Sequence, residues 1–217
     1  TKQLTTTITI TVTQESLPYG KGVVQVFDYL PAPGQFVHDL PAYDAGEPVA
    51  YLLERATQAL KTGSIIRLGG FGGYVVVGFD HTIVNMPDTT DFIVNGNAFN
   101  NWSEPGIIQV AMDANGNNLP DDEWFEIAGS EYHQPHSLKN YSITYYKPDE
   151  GKVPTPNLDY PFLTDTTYIR WKDNQGKEGY LSKNSFHQQS YYPQWKGDSI
   201  TFTGTLLPHT NIYDQSG

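Results

Sequence analysis

Between Ile107 and Ile127 the chain reads IIQVAMDANGNNLPDDEWFEI: an apolar run, a loop dense in acids and amides, and a second apolar run. The loop sets Asp113, Asn115, Asn117 and Asp121 at alternate positions, which is how a short segment wraps a hard cation. Calcium takes about six to eight oxygens, drawn from side chains at the first, third, fifth and ninth loop positions and from a carbonyl at the seventh, here Leu119. The loop departs from the EF-hand pattern in two places. Gly116 comes fourth rather than sixth, and Trp124 stands twelfth where a bidentate acid belongs, so Asp122 or Glu123 has to close the shell. The expected ligands of a structural calcium are thus Asp113, Asn115, Asn117, Leu119, Asp121 and Glu123. The alternative is a polar hairpin whose Asp and Asn side chains cap their own backbone, since Asn-Gly is itself a turn signal.

Catalytic signatures are sparse. His133 and His136 are three residues apart, a zinc spacing on a helix, but Pro135 between them breaks that geometry and an exposed loop is expected. There is no GxSxG elbow, and the Gly69–Gly73 stretch GGFGG has neither the lysine of a phosphate loop nor a helix to open. Paired carboxylates for glycoside hydrolysis are not excluded by spacing, yet most acids cluster in the cation loop. The expectation is a protein that is not an enzyme.

Aromatic residues offer binding chemistry instead. Trp102 lies in NAFNNWSEPG, and Tyr191, Tyr192 and Trp195 lie in SYYPQWKG, two irregular segments with no periodic reason to bury rings. With Asn100, Asn101, Gln188, Gln189 and Gln194 nearby, they have the makeup of a site that stacks a flat or apolar ligand and hydrogen-bonds its rim. Packing of these loops onto the core is the alternative. Phe71, among four glycines, is either part of a turn or a stacking platform at a rim. Of Trp124 and Phe125, adjacent within one strand, one should face the core.

The elements that must position these groups are mostly strands. Leu4–Thr13 alternates apolar residues with threonine and reads as a half-buried strand. Further strands are expected at Val23–Tyr29, Ser64–Leu68, Tyr74–Phe79, Asp91–Asn95, Ile107–Met112, Trp124–Ile127, Tyr141–Tyr146, Thr167–Lys172 and Ser199–Thr205. Leu30–Tyr43, with three prolines, reads as a long surface loop, and Lys147–Asp165 as an excursion from the core. One helix is expected at Glu47–Lys61: Pro48 suits a first turn, Val49, Leu52, Leu53, Ala56 and Leu60 share a face, and Gly63 follows the end. The fold class that results is all-β, an antiparallel β-sandwich of jelly-roll type with one short amphipathic helix, read as a single domain over residues 1–217.

Composition narrows the partners. A net charge of −11 argues against nucleic acid and anionic membranes. Without cysteine, neither disulfides nor thiolate metal sites contribute. Aromatics at 13% beside charged residues at 17% suit a secreted ligand-binding module.

The run GGFGGYVVVGFDHTIVN, followed by DFIVNGNAFNNWSEPGIIQVAMDANGNNLPDDEWFEIAGSEY, resembles the cell-surface proteins and lipoproteins of Bacteroidetes, some of which accompany outer-membrane cobalamin uptake. The likeness extends from about Val23 to about Tyr146. Its most specific parts are the glycine-rich turn, Asn97-Ala98-Phe99, Ser103-Glu104-Pro105 and the loop Asp113–Trp124. The resemblance implies a β-sandwich on the extracellular face of the outer membrane, lipid-anchored in the full-length protein, that captures cobalamin for an outer-membrane transporter. A corrin is broad, amide-fringed and partly apolar, so an aromatic and amide-rich surface suits it. His187, beside the Tyr191–Trp195 cluster, is the first histidine to consider for a bound cobalt. The expected ligand-binding residues are therefore Phe71, Trp102, His187, Tyr191, Tyr192 and Trp195. A carbohydrate-binding module comes second, because sugar faces also stack on Trp and Tyr, and a cell-adhesion module with a protein partner comes third.

Overall fold

The computed structural model describes residues 19–96, 98–100 and 102–207; the strand expected at Leu4–Thr13 lies outside them, as does the Trp102 side chain. The fold is all-β and antiparallel, with one helix among the described residues, α1 at Val49–Lys61. Strand β1 (Gln25–Leu30) pairs with β2 (Tyr74–Gly78), bulging between Val26 and Asp28. Two short ribbons follow, β3 (Ala98–Phe99) with β4 (Trp102–Ser103), and β5 (Gln109–Ala111) with β6 (Trp124–Glu126). The main sheet is built from β7 (Leu138–Tyr146), β8 (Leu163–Asp173), β9 (Glu178–Asn184) and β10 (Ser199–Leu206), in the order β10-β7-β8-β9. Three consecutive strands with the fourth returning beside the first make a Greek key, the arrangement of most β-sandwiches.

Alternation dictates which face of the main sheet is covered. Tyr141, Ile143 and Tyr145 of β7 point inward with Ile200 and Phe202 of β10, Ile169 of β8 and Leu181 of β9, and the adjacent Tyr168 is buried beside the register irregularity between Asp165 and Ile169. The end of β1 and the segment after it cover them through Leu30 and Ala32. A second cluster joins Val26 and Tyr29 of β1 to Leu52 and Ala56 of α1, and half-buried Trp195 packs against both clusters. Each fully buried Leu or Ile contributes about 1.5–3 kcal/mol, so this alternation fixes the register.

Three expectations are corrected here. Pro31, Ala32, Pro33 and Val37 are fully or almost fully buried, so Leu30–Tyr43 is no surface loop over its first half. Proline has no N–H to strand in a core, and the remaining groups are satisfied: Ala32 N–H donates to Leu68 C=O and Gly34 N–H to Tyr191 C=O. Ser64–Leu68 and Asp91–Asn95 form no ladder among the described residues, whereas β9 arises where none was expected. A tight turn makes β9: Gly176 adopts φ 79°, and Asp173 accepts N–H donors from Gln175 and Lys177.

The glycine run takes the structural of its two readings. A Cβ on Gly69 (φ 73°) would lie 1.9 Å from Ala32 C=O, and one on Gly73 would lie 1.7 Å from Leu68 C=O. Backbone meets backbone there, which only glycine permits.

Candidate functional site

The β5–β6 ribbon presents the acid-rich loop at its tip, in solvent. Asp113 opens the loop and gathers it: one carboxylate oxygen accepts N–H donors from Gly116 (2.8 Å) and Asn117 (3.1 Å), the other from Asn118 (2.9 Å). Gly116 and Asn118 bend the chain inward with φ near 72° and 59°. Asn115 Oδ1 accepts from Asn117 N–H and Asn117 Oδ1 from Leu119 N–H, while both amide nitrogens donate to Asp121. These two amides, Asn117 first, hold the Asp121 carboxyl below the usual carboxylate range.

Asp113, Asn115, Asn117 and Asp121 are thus drawn into one network. Leu119 joins it through its N–H rather than its carbonyl, and Glu123 makes none of these bonds. Asp122, rather than Glu123, turns back into the loop and accepts Ala114 N–H at 3.1 Å. No group of three His, Asp or Glu side chains among the described residues is placed to hold a metal. Trp124 and Phe125 are 37% and 57% exposed, so neither is a core residue. The two histidines near this ribbon do not converge: His136 Nε2 meets Glu131 at 2.6 Å and His133 stacks edge-on against Tyr132.

The aromatic candidates divide. Tyr191 and Tyr192 are 0% and 1% exposed, a correction to their role as stacking platforms. Their hydroxyls explain the burial, because each finds partners inside. Tyr191 Oη accepts Asn184 N–H and donates to His187 C=O, and Tyr192 Oη donates to Gly197 C=O. Burial, with the field of Asp198, pushes the Tyr192 hydroxyl up to about 12. Phe71 packs edge-on against Tyr141 and half-buried Trp195 against Tyr43 and His38, so both brace the core rather than stand free. His187 remains at the surface edge, its ring 4.8 Å from that of Phe36.

His187 belongs to a surface that spacing along the chain did not reveal. At one end of the main sheet three segments meet, 34–38, 157–162 and 184–190. Asn184, 9% exposed, ties them: its Oδ1 accepts Phe186 and His187 N–H, both at 3.0 Å, and its Nδ2 donates to Gln35 Oε1. Gln189 Nε2 donates to Gln35 and Val37 carbonyls, and Ser185 N–H to Phe162 C=O. Along this rim Tyr160, Phe162 and Phe186 form a chain of rings, spaced 6.0 and 6.1 Å between centroids and 54%, 42% and 74% exposed. Sequence reasoning missed them because they come from two segments far apart in the chain, Tyr160 and Phe162 in one and Phe186 in the other; the available signal was SFHQQS running directly into the Tyr191–Trp195 cluster.

Two open surface depressions lie elsewhere. One of about 320 Å³ is lined by Tyr51, Glu54, Arg55 and Gln58 on α1, and one of about 280 Å³ by Arg170, Glu178, Gly179 and Tyr180. No helix among the described residues is long and apolar enough to cross a membrane. No family model and no curated protein matches the chain.

Proposed function

We propose that the protein is a non-catalytic ligand-binding module of the bacterial cell surface, and that its ligand lies across the Tyr160–Phe162–Phe186 rim. One observation carries this reading: large apolar rings are held in solvent on segments that are themselves pinned by Asn184, Gln189 and Ser185. Folding alone gains nothing from a phenylalanine 74% exposed, whereas a ligand with a flat apolar face gains a platform that is already ordered.

Cobalamin is the first ligand to test, on the likeness of about Val23 to Tyr146 to surface proteins some of which accompany its uptake. In this reading the protein hands cobalamin to an outer-membrane transporter from the extracellular face, where a lipid anchor holds it. Calcium at the Asp113–Asp121 loop braces the β5–β6 ribbon as a structural ion. Mixing with micromolar cobalamin should quench the half-buried Trp195 and leave coloured ligand on the protein after gel filtration. Phe186→Ala combined with Phe162→Ala should abolish both effects while the melting temperature stays put. An unchanged emission spectrum and a colourless protein peak would remove cobalamin.

An open row of rings also favours a glycan, since an extended polysaccharide stacks successive sugar faces on such a row without a pocket. Retardation in polysaccharide-containing gels, lost in the same double variant, would select that ligand.

A further inference from the structure

Each of the chain's other two arginines holds a carboxylate: Arg55 pairs with Glu47, and Arg170 with Glu178 at 2.9 Å. Arg67 holds none among the described residues, in a chain with 24 acids against 13 lysines and arginines. Its guanidinium lies over the Phe36 ring, 4.7 Å from the centroid, and its Nε is buried without an acceptor among the described residues. Its backbone is fixed on both sides, the N–H donating to Leu40 C=O and the carbonyl accepting the Tyr29 hydroxyl. The His187 ring meets the same Phe36 edge-on, and neither of its nitrogens has a hydrogen-bond partner among the described residues.

A half-buried guanidinium without counter-charge is costly unless something completes it, and its planar fork of donors matches an oxyanion. We infer that Arg67, over the Phe36 ring that His187 also meets, is the receptor for an oxyanion group, phosphate or carboxylate, carried by the ligand that lies on the neighbouring aromatic rim. The oxyanion site stands on Arg67 itself; its assignment to that ligand rests on the proposed binding function. His187 follows Phe186 directly in the chain, which puts the charged and the apolar ends of the surface side by side. Phe36 covers one face of the guanidinium, and the ion pairs in its plane, where carboxylates and phosphates bind.

The test is to titrate the whole chain with inorganic phosphate and, separately, with acetate, against chloride at matched ionic strength. The NMR signals of the Arg67 Nε–H and the His187 imidazole are the readout. In the wild type both signals should move to saturation with at least one oxyanion and not with chloride, and the tighter of the two names the group. Arg67→Gln should weaken the His187 response at least tenfold, and Arg67→Lys should restore part of it. Should Arg67→Gln fail to fold, the wild-type Arg67 signal still decides. Drift without saturation, or an unchanged His187 response in Arg67→Gln, would overturn the inference. The oxyanion response should survive Phe162→Ala with Phe186→Ala. Its presence in a protein that binds neither cobalamin nor glycan would sink the broader binding function alone, and its absence in a protein that binds one of them would sink only this inference.

Discussion

Replacing Asn184 by alanine removes the side chain on which the rim is hung. Three hydrogen bonds go at once: Oδ1 with Phe186 N–H and with His187 N–H, and Nδ2 with Gln35 Oε1. The two N–H donors sit in part-buried surroundings, and a stranded buried donor costs about 1–3 kcal/mol. Water will reach one of them through the cavity, so the loss should be about 2–4 kcal/mol. For a chain of 217 residues each kcal/mol moves the melting temperature by about 2–4 °C, which places the shift at about 4–16 °C. Asn184→Asp is the control. Its carboxylate still accepts both N–H donors, and the Gln35 amide can turn over to donate, so the cost should stay below about 1 kcal/mol. Thermal melts and urea unfolding of the two variants give the comparison. An alanine variant within about 0.5 kcal/mol of wild type, or an aspartate variant as damaged as alanine, would refute the idea that this one amide organises the rim.

Gly69→Ala must enter a φ of 73° and place a methyl group 1.9 Å from Ala32 C=O, so it should cost about 2–5 kcal/mol and break the Ala32-to-Leu68 hydrogen bond; a melt within 2 °C of wild type, by rough conversion, would contradict this. If the Asp113 loop binds calcium, an excess of about a hundredfold over Kd adds about 2.7 kcal/mol, so calcium should raise the melting temperature, EGTA should reverse it, and Asp113→Ala should be indifferent to both. Burial holds the His38 imidazole below its ordinary range, against the Tyr192 carbonyl and the field of Glu150, which act upward. The unfolded chain therefore takes up a proton first as pH falls, and the resulting stability is present above about pH 6.5 and lost toward the lower folded value. Urea midpoints should accordingly drop between pH 7.5 and 5.5, and His38→Gln should flatten that slope. Phe186→Ala, at a side chain 74% exposed, should leave stability within about 0.5 kcal/mol and weaken ligand binding by tenfold or more; equilibrium unfolding and a binding isotherm on the same preparation check both halves.

What the sequence disclosed follows from where its signals are local. Period-two alternation in Tyr141–Tyr146 and Ser199–Thr205, and the apolar stripe of α1, identify elements whose inner faces become the two cores. In β9 the buried positions are Leu181 and Asn184, one apolar and one polar and an odd three residues apart, and Gly179 gives way to the Trp171 ring, so there is no alternation to read. The hydrogen-bonded loop at Asp113–Asp121 was legible because its polar groups lie close together in the chain. The rim was not, because the contact between Asn184 and Gln35 spans 149 residues. Nothing in local spacing announces a partner that distant.

The burial of four tyrosines also has a physical cause, and it runs against hydropathy. Tyr29, Tyr168, Tyr191 and Tyr192 are inside with Phe202, while Phe162 and Phe186 are outside with Tyr160. Segments that enter a core bring carbonyls and N–H groups with them, and a buried hydroxyl can satisfy these where a phenyl ring cannot. Tyr29 donates to Arg67 C=O, Tyr168 to Glu150, Tyr191 to His187 C=O and Tyr192 to Gly197 C=O; the hydroxyls serve as internal ties between loops. Phenylalanine has no such use at the rim, and leaving its surface in water forgoes about 25 cal/mol for every Å² that burial would have removed. The tie from Tyr191 to His187 and those from Asn184 to the two following N–H groups deny Phe186 the freedom to fold inward and recover that energy. A core tyrosine thereby holds a surface phenylalanine out, and Tyr191→Phe, which keeps the ring and loses the tie, should loosen the rim before it unfolds the sheet.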